Sequence, residues 1–126
     1  MSTILIVNDD RYSLKMLGII IKRALKDAYE LKTFISSEEA LSWFKKNKKD
    51  VGLIITDYKM PRLNGYDFLL SCYKTRKVPS IMSSAYIGVE AYKGLVSNGI
   101  CNATVSMPVF KKGEPYLIEK ITELIC

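Results

Sequence analysis

The stretch Leu53-Ile54-Ile55-Thr56-Asp57-Tyr58-Lys59-Met60-Pro61 constrains this chain more than any other. Its apolar start is too short and too rich in β-branched residues for a helix, and Pro61 and then Asn64-Gly65 break the chain beyond Asp57. A continuous apolar strand of this kind is buried on both faces and belongs to a parallel sheet. In open parallel sheets the chemistry collects just beyond the carboxyl ends of the strands, so a carboxylate delivered there is a candidate reactive group. Asp57 is that carboxylate.

Around this strand the chain alternates strand and helix. Thr3 to Val7 reads as a first strand ending in Asn8-Asp9-Asp10, polar residues that do not belong inside a strand. From Tyr12 to Ala28 the apolar positions Leu14, Leu17, Ile20, Ile21, Ala24 and Ala28 recur at helical spacing, opposite Lys15, Lys22, Arg23 and Lys26. Tyr29 to Ile35 is a second strand. Ser36-Ser37-Glu38-Glu39 then carries a capping-box pattern, and the helix it opens runs to about Asn47 with Ala40, Leu41 and Phe44 inward.

Val51 to Thr56 is the third strand, and Tyr66 to Thr75 a third helix facing inward through Phe68, Leu69 and Cys72. Pro79 opens a fourth strand over Ser80 to Ser83, a place where its absent N–H is tolerated. Gly88 to Ser97 reads as a fourth helix stopped by Asn98-Gly99. Ala103 to Ser106 is a fifth strand broken by Met107-Pro108, and Glu114 to Ile125 a closing helix with Leu117, Ile118, Ile121 and Leu124 inward and Pro115 in its first turn. Parallel strands joined by helical crossovers make a doubly wound α/β sheet with helices on both faces.

Composition narrows the class. A chain of 126 residues, 48% hydrophobic and 25% charged, has the length and balance of one globular domain, here expected over 1–126. Its apolar stretches fall short of a membrane span and its first residues lack the basic start of a signal peptide, so a cytoplasmic location without membrane attachment is expected. Cys72, Cys101 and Cys126 are odd in number and scattered, and histidine is absent, which argues against both a disulfide framework and a zinc site. The net charge of +6 raises the question of nucleic acid. Lys45, Lys46, Lys48 and Lys49, however, sit at the end of a predicted helix, where cations complement the dipole, and no aromatic-and-basic motif accompanies them. Nucleic-acid binding is not expected.

Ile4 to Asp10, then Asp57 with Met60-Pro61 and Gly65 behind it, then Pro79 to Ala85, then Met107-Pro108, in this order over the whole chain, resemble the receiver domain of two-component response regulators. The chain looks nearest to the stand-alone, chemotaxis-type members. The resemblance implies a flavodoxin-like five-stranded sheet of order 2-1-3-4-5. It implies Mg²⁺ held by Asp9, Asp57 and the main-chain carbonyl of Lys59, an ion that prefers oxygen ligands and keeps several waters. Asp57 would be the phosphoacceptor, receiving its group from a phosphohistidine on a sensor histidine kinase or phosphotransfer protein, or from a small phosphodonor. Ser84 matches the switch hydroxyl, and the output surface toward a downstream protein target would be helix four, strand five and helix five. Tyr86 is a candidate shield of the acyl phosphate, and a cis bond is expected before Pro108. Such a chain is a phosphoryl-accepting signalling domain rather than a turnover enzyme.

Three positions depart from the family's pattern: Asn8 where an acid is usual, Met107 where a lysine is usual, and Thr104 where an aromatic is usual. Losing one carboxylate and one ammonium leaves the net charge of the site at about −2 before metal binds. A retuned site is the expectation, with Lys59 or the metal supplying positive charge beside the phosphoryl group. The alternative is a phosphorylation-independent pseudo-receiver, a protein-binding module of the same fold. Duller readings make Asp9 and Asp10 caps of the first helix, Ser84 a turn hydroxyl and Met107 a core thioether. A flavin protein of similar topology is disfavoured, because the loop after the first strand lacks a hydroxyl- and glycine-rich run to cradle a phosphate.

Overall fold

In the computed structural model, which describes residues 2–84, 94, 96–106 and 114–125, the strands are β1 (Thr3–Val7), β2 (Glu30–Phe34), β3 (Val51–Asp57), β4 (Ser80–Ser84) and β5 (Ala103–Ser106). All four pairings are parallel, and the order across the sheet is β2-β1-β3-β4-β5. This is the doubly wound, flavodoxin-like order. Helices α1 (Arg11–Leu25), α2 (Ser37–Asn47) and α3 (Gly65–Thr75) and a C-terminal helix (Glu114–Ile125) cover it. None of the described helices is long and apolar enough to cross a membrane.

The alternation of side chains along buried strands divides the core into two layers. On one face Ile4, Ile6, Leu53, Ile55 and Ile81 meet Leu14, Leu17 and Ile21 of α1 and Leu117 and Ile121 of the C-terminal helix. On the other, Leu5, Val7, Ile54 and Met82 meet Ala40 and Phe44 of α2 and Phe68, Leu69 and Cys72 of α3. The sheet is therefore apolar on both sides, as the unbroken β3 run requires. A register shift between Thr3 and Ile4 lets Thr3 face Val51 and Ile4 face Leu53. Gly52 is the residue skipped, and the shift brings Val51 to the same side as Ile54.

Helix α1 is shorter than its apolar pattern predicts. Lys26 turns to φ 54° and its N–H donates to the Lys22 carbonyl at 2.7 Å, which stops the helix at Leu25. Ala28 therefore falls beyond the helix and is exposed, Ala24 inside it is exposed as well, and Leu25 packs against the core. Helix α2 opens as its capping pattern predicts, the Ser36 hydroxyl accepting from the Glu39 amide at 3.2 Å. It ends at Asn47, so Lys48 and Lys49 lie in a short 3₁₀ turn (Lys48–Asp50) rather than in the helix.

Pro79 stands just before β4, an interior strand rather than an edge, and its carbonyl accepts from Ile54 N–H at 3.0 Å. The fourth helix expected over 88–97 lies outside the described residues except for Gly94, Val96 and Ser97, which are helical. Its glycine stop is described: Gly99 has φ 75° and donates to the Val96 carbonyl at 3.0 Å. Cys72 and Cys101 are buried free thiols; Cys126 lies outside the described residues.

Candidate functional site

Parallel pairing in register brings the ends of four strands to one edge of the sheet. Val7 pairs with Thr56, Asp57 with Ser83, and Ser84 with Ser106. Asn8 and Asp9 thus leave β1 beside the point where β3 ends in Asp57, and Ser83-Ser84 end β4 on the other side. β3, predicted to stop at Thr56, includes Asp57, which is half-buried.

The three polar residues after β1 have divided their work. Asn8 is 2% exposed, its Oδ1 accepting from Asp10 N–H at 2.9 Å and its own N–H donating to the Phe34 carbonyl at 3.1 Å. Asp10 is the N-cap of α1. Its carboxylate accepts from the Ser13 hydroxyl at 2.6 Å and from the Ser13 amide at 3.3 Å, bonds that hold it below the usual carboxylate range. The capping explanation therefore belongs to Asp10. Asp9, exposed between them, is not the cap.

Beyond Asp57 the chain folds back in a tight loop. Asp57 Oδ1 accepts from Tyr58 N–H at 2.9 Å, and Thr56 Oγ1 donates to the Asp57 carbonyl at 2.9 Å. Tyr58 carbonyl accepts from Gly65 N–H at 2.7 Å, which closes the loop at the start of α3. Within it Leu63 N–H donates to the Pro61 carbonyl at 2.7 Å around Arg62, whose φ is 69°. Met60 is buried against the core and Lys59 is exposed. Asn64 caps α3, its Oδ1 accepting from Asp67 N–H at 2.8 Å. The Ser37 hydroxyl, at the first turn of α2, donates to the Leu63 carbonyl at 2.6 Å.

The Asn64 cap and the Ser37 contact were not read from the sequence. The first has a signal, an Asn three residues before an acidic helix position. The second has none, since Ser37 looks like the spare serine of a capping box.

The carboxylates of Asp9, two residues beyond β1, and of Asp57, at the end of β3, are hard oxygen donors, and main-chain carbonyls of the loop beyond Asp57 are donors of the same kind. Such a partial, half-exposed donor set fits an ion that retains waters, as Mg²⁺ does. Of the other predicted positions, Thr104 lies on β5 opposite Met82 and is half-buried. Ser84 is the last residue of β4. Tyr86, Met107 and Pro108 lie outside the described residues.

The strand order and the acid at the end of the central strand define a flavodoxin-like domain with a polar rim at the carboxyl edge of its sheet. Residues 4–104 match the family model described as the response regulator receiver domain, and the chain belongs to that family. It is 32% identical over 85 residues to a protein of Arabidopsis thaliana named as the two-component response regulator ARR20, a match covering 68% of this chain and 20% of that protein. With the two-component response regulator ARR12 of the same plant it shares 28% identity over 99 residues, 79% of this chain and 16% of the relative. The chain thus spans about a fifth or less of the length of these curated relatives.

Among solved structures it is similar to a CheY-like receiver domain protein from Methanospirillum hungatei, with a TM-score of 0.81 and 27% identity covering 98% of this chain and 92% of that one. The chemotaxis protein CheY4 of Vibrio cholerae shares the fold, with a TM-score of 0.76 and 23% identity covering 98% of both chains.

Proposed function

We propose that the chain accepts a phosphoryl group on Asp57, with Mg²⁺ held by Asp9, Asp57 and the carbonyl of Lys59. The observation that carries this reading is the placing of Asp57 as the last residue of the central strand, half-buried, level with Ser83 and beside the acidic turn after β1. An Asp57 carboxylate oxygen attacks phosphorus while the phosphorus–nitrogen bond of a kinase or phosphotransfer-protein phosphohistidine breaks, leaving imidazole and an acyl phosphate. Transfer of this kind asks the protein chiefly for alignment and charge neutralisation. When bound, the metal supplies positive charge toward the phosphoryl oxygens; the exposed Lys59 adds an ammonium on the same loop. Ser84, ending the neighbouring strand, offers the hydroxyl that answers the new acceptor oxygens, and the face of helix four, β5 and the C-terminal helix transmits the change to a downstream target.

The test is intact mass after incubation with Mg²⁺ and acetyl phosphate, with Asp57→Asn as control and beryllofluoride binding as a second readout. An adduct absent from the control supports the reading; no adduct and no metal-dependent beryllofluoride binding overturns it. The second reading, a protein-binding module that works without phosphate, draws on Asn8, whose buried amide is engaged in a turn where the family usually has an acid. A partner bound equally by wild type and Asp57→Asn would favour it.

A further inference from the structure

Resting on the metal-binding reading above, we infer that Ser37 is a positioning residue for the loop that carries the Lys59 carbonyl. The loop from Tyr58 to Gly65 is closed internally twice, by Gly65 N–H to the Tyr58 carbonyl and by Leu63 N–H to the Pro61 carbonyl. The second closure forces Arg62 to φ 69°, a conformation a side-chain-bearing residue keeps only when its surroundings hold it. Two contacts reach this turn from α2. One is the ion pair between Arg62 and Glu38 at 3.5 Å, with both side chains largely in solvent and therefore of little holding power. The other is the Ser37 hydroxyl, 2% exposed, donating to the Leu63 carbonyl at 2.6 Å.

Ser37 is not needed as the cap of its own helix, because Ser36 already does that. A hydroxyl buried at this position is costly unless bonded, and its partner lies 26 residues away in the acceptor loop. The bond therefore ties the start of α2 to the carbonyl immediately beyond the strained turn, and Lys59 lies between that turn and the Tyr58 closure. Without it the turn relaxes, and the Lys59 carbonyl leaves the position from which it can serve the same ion as Asp57 and Asp9.

Ser37→Thr and Ser37→Val test this, since they differ in the hydroxyl and not in shape. Titration with MgCl₂ alone, followed through the amide signals of residues 57–59, is expected to give wild-type affinity for Ser37→Thr. For Ser37→Val the expected affinity is about tenfold weaker, no more than the low end of the loss on removing a direct partner of a metal ligand, since Ser37 acts on Lys59 through the turn. In metal-free protein, hydrogen exchange of the Leu63 and Gly65 amides should quicken in Ser37→Val alone while the sheet amides stay protected. Equal Mg²⁺ affinity in the two variants, or unchanged exchange at Leu63, overturns the role of Ser37 while leaving the metal site standing. A wild type indifferent to Mg²⁺ overturns the metal reading and the positioning role with it. If the branched variants do not fold, Ser37→Ala against wild type gives the same comparison without added bulk.

Discussion

The amide of Gly65 donates to the carbonyl of Tyr58 at 2.7 Å, and the approach is so close that the α-carbon of residue 65 has no room for a substituent. A Cβ there would overlap the Asp57 carbonyl oxygen and come within 2.9 Å of both the Met82 sulfur and Tyr58 Cα. Two of these three are main chain at the end of β3 and the start of the loop beyond it, so the strain cannot be relieved by a side-chain rotation. Gly65→Ala is expected to cost about 1–3 kcal/mol in urea unfolding and to slow Asp57 phosphorylation by acetyl phosphate. Gly18→Ala is the control: inside α1 a Cβ meets nothing within 4 Å, and removing glycine from a helix interior should stabilise by about 0.5–1 kcal/mol.

Asn8→Asp restores a carboxylate beside Asp57 without disturbing the turn, because its oxygen can still accept from Asp10 N–H. A further negative charge on the buried rim repels Asp57 and costs stability in metal-free protein, and it strengthens attraction for a divalent cation. Mg²⁺ affinity should rise by about tenfold, roughly 1.4 kcal/mol. Thermal unfolding with and without MgCl₂ checks both halves: the variant should melt below wild type without the ion and gain more from it.

Burial pushes the Cys72 thiol up to about 12, against a smaller opposing influence of Lys45. The folded protein therefore holds this proton more tightly than the unfolded chain, where the thiol titrates near 8.5. The resulting contribution to stability is fully present below that value and is lost progressively as pH rises from it toward 12. Urea midpoints at pH 7 and pH 10 should differ less in Cys72→Ala than in wild type once each is referred to its own value at pH 7. Native Cys72 should also resist iodoacetamide at pH 8 and react once unfolded.

Phe68 is fully buried between α3 and the sheet, in the layer that also holds Met60 in the loop after Asp57. Phe68→Ala removes a large side chain and leaves a cavity, at a cost of about 3–5 kcal/mol in chemical unfolding. Because Met60 shares that layer, the surviving folded fraction should also show shifted amide signals for residues 58–61, the readout that separates loop displacement from simple loss of stability.

The β3 run, its terminal Asp57, the alternation of five strands with helices, the Ser36 cap and the Gly99 stop were all legible from the sequence. Each depends on residues within one turn or one strand, where side-chain periodicity and capping chemistry act locally. The division between Asp9 and Asp10 was not legible, since either can cap a helix and only the path out of β1, fixed by Asn8, settles it. The early end of α1 was hidden for a similar reason: Ala24 and Ala28 continue the apolar spacing, and Lys26 gives no sign of the positive φ it adopts. The skipped Gly52, the close approach of Gly65 to Asp57 and the reach of Ser37 to Leu63 were decided by tertiary structure alone. These depend on how strands slide into register and on which loop meets which helix, relations between residues distant in the chain that no local pattern encodes.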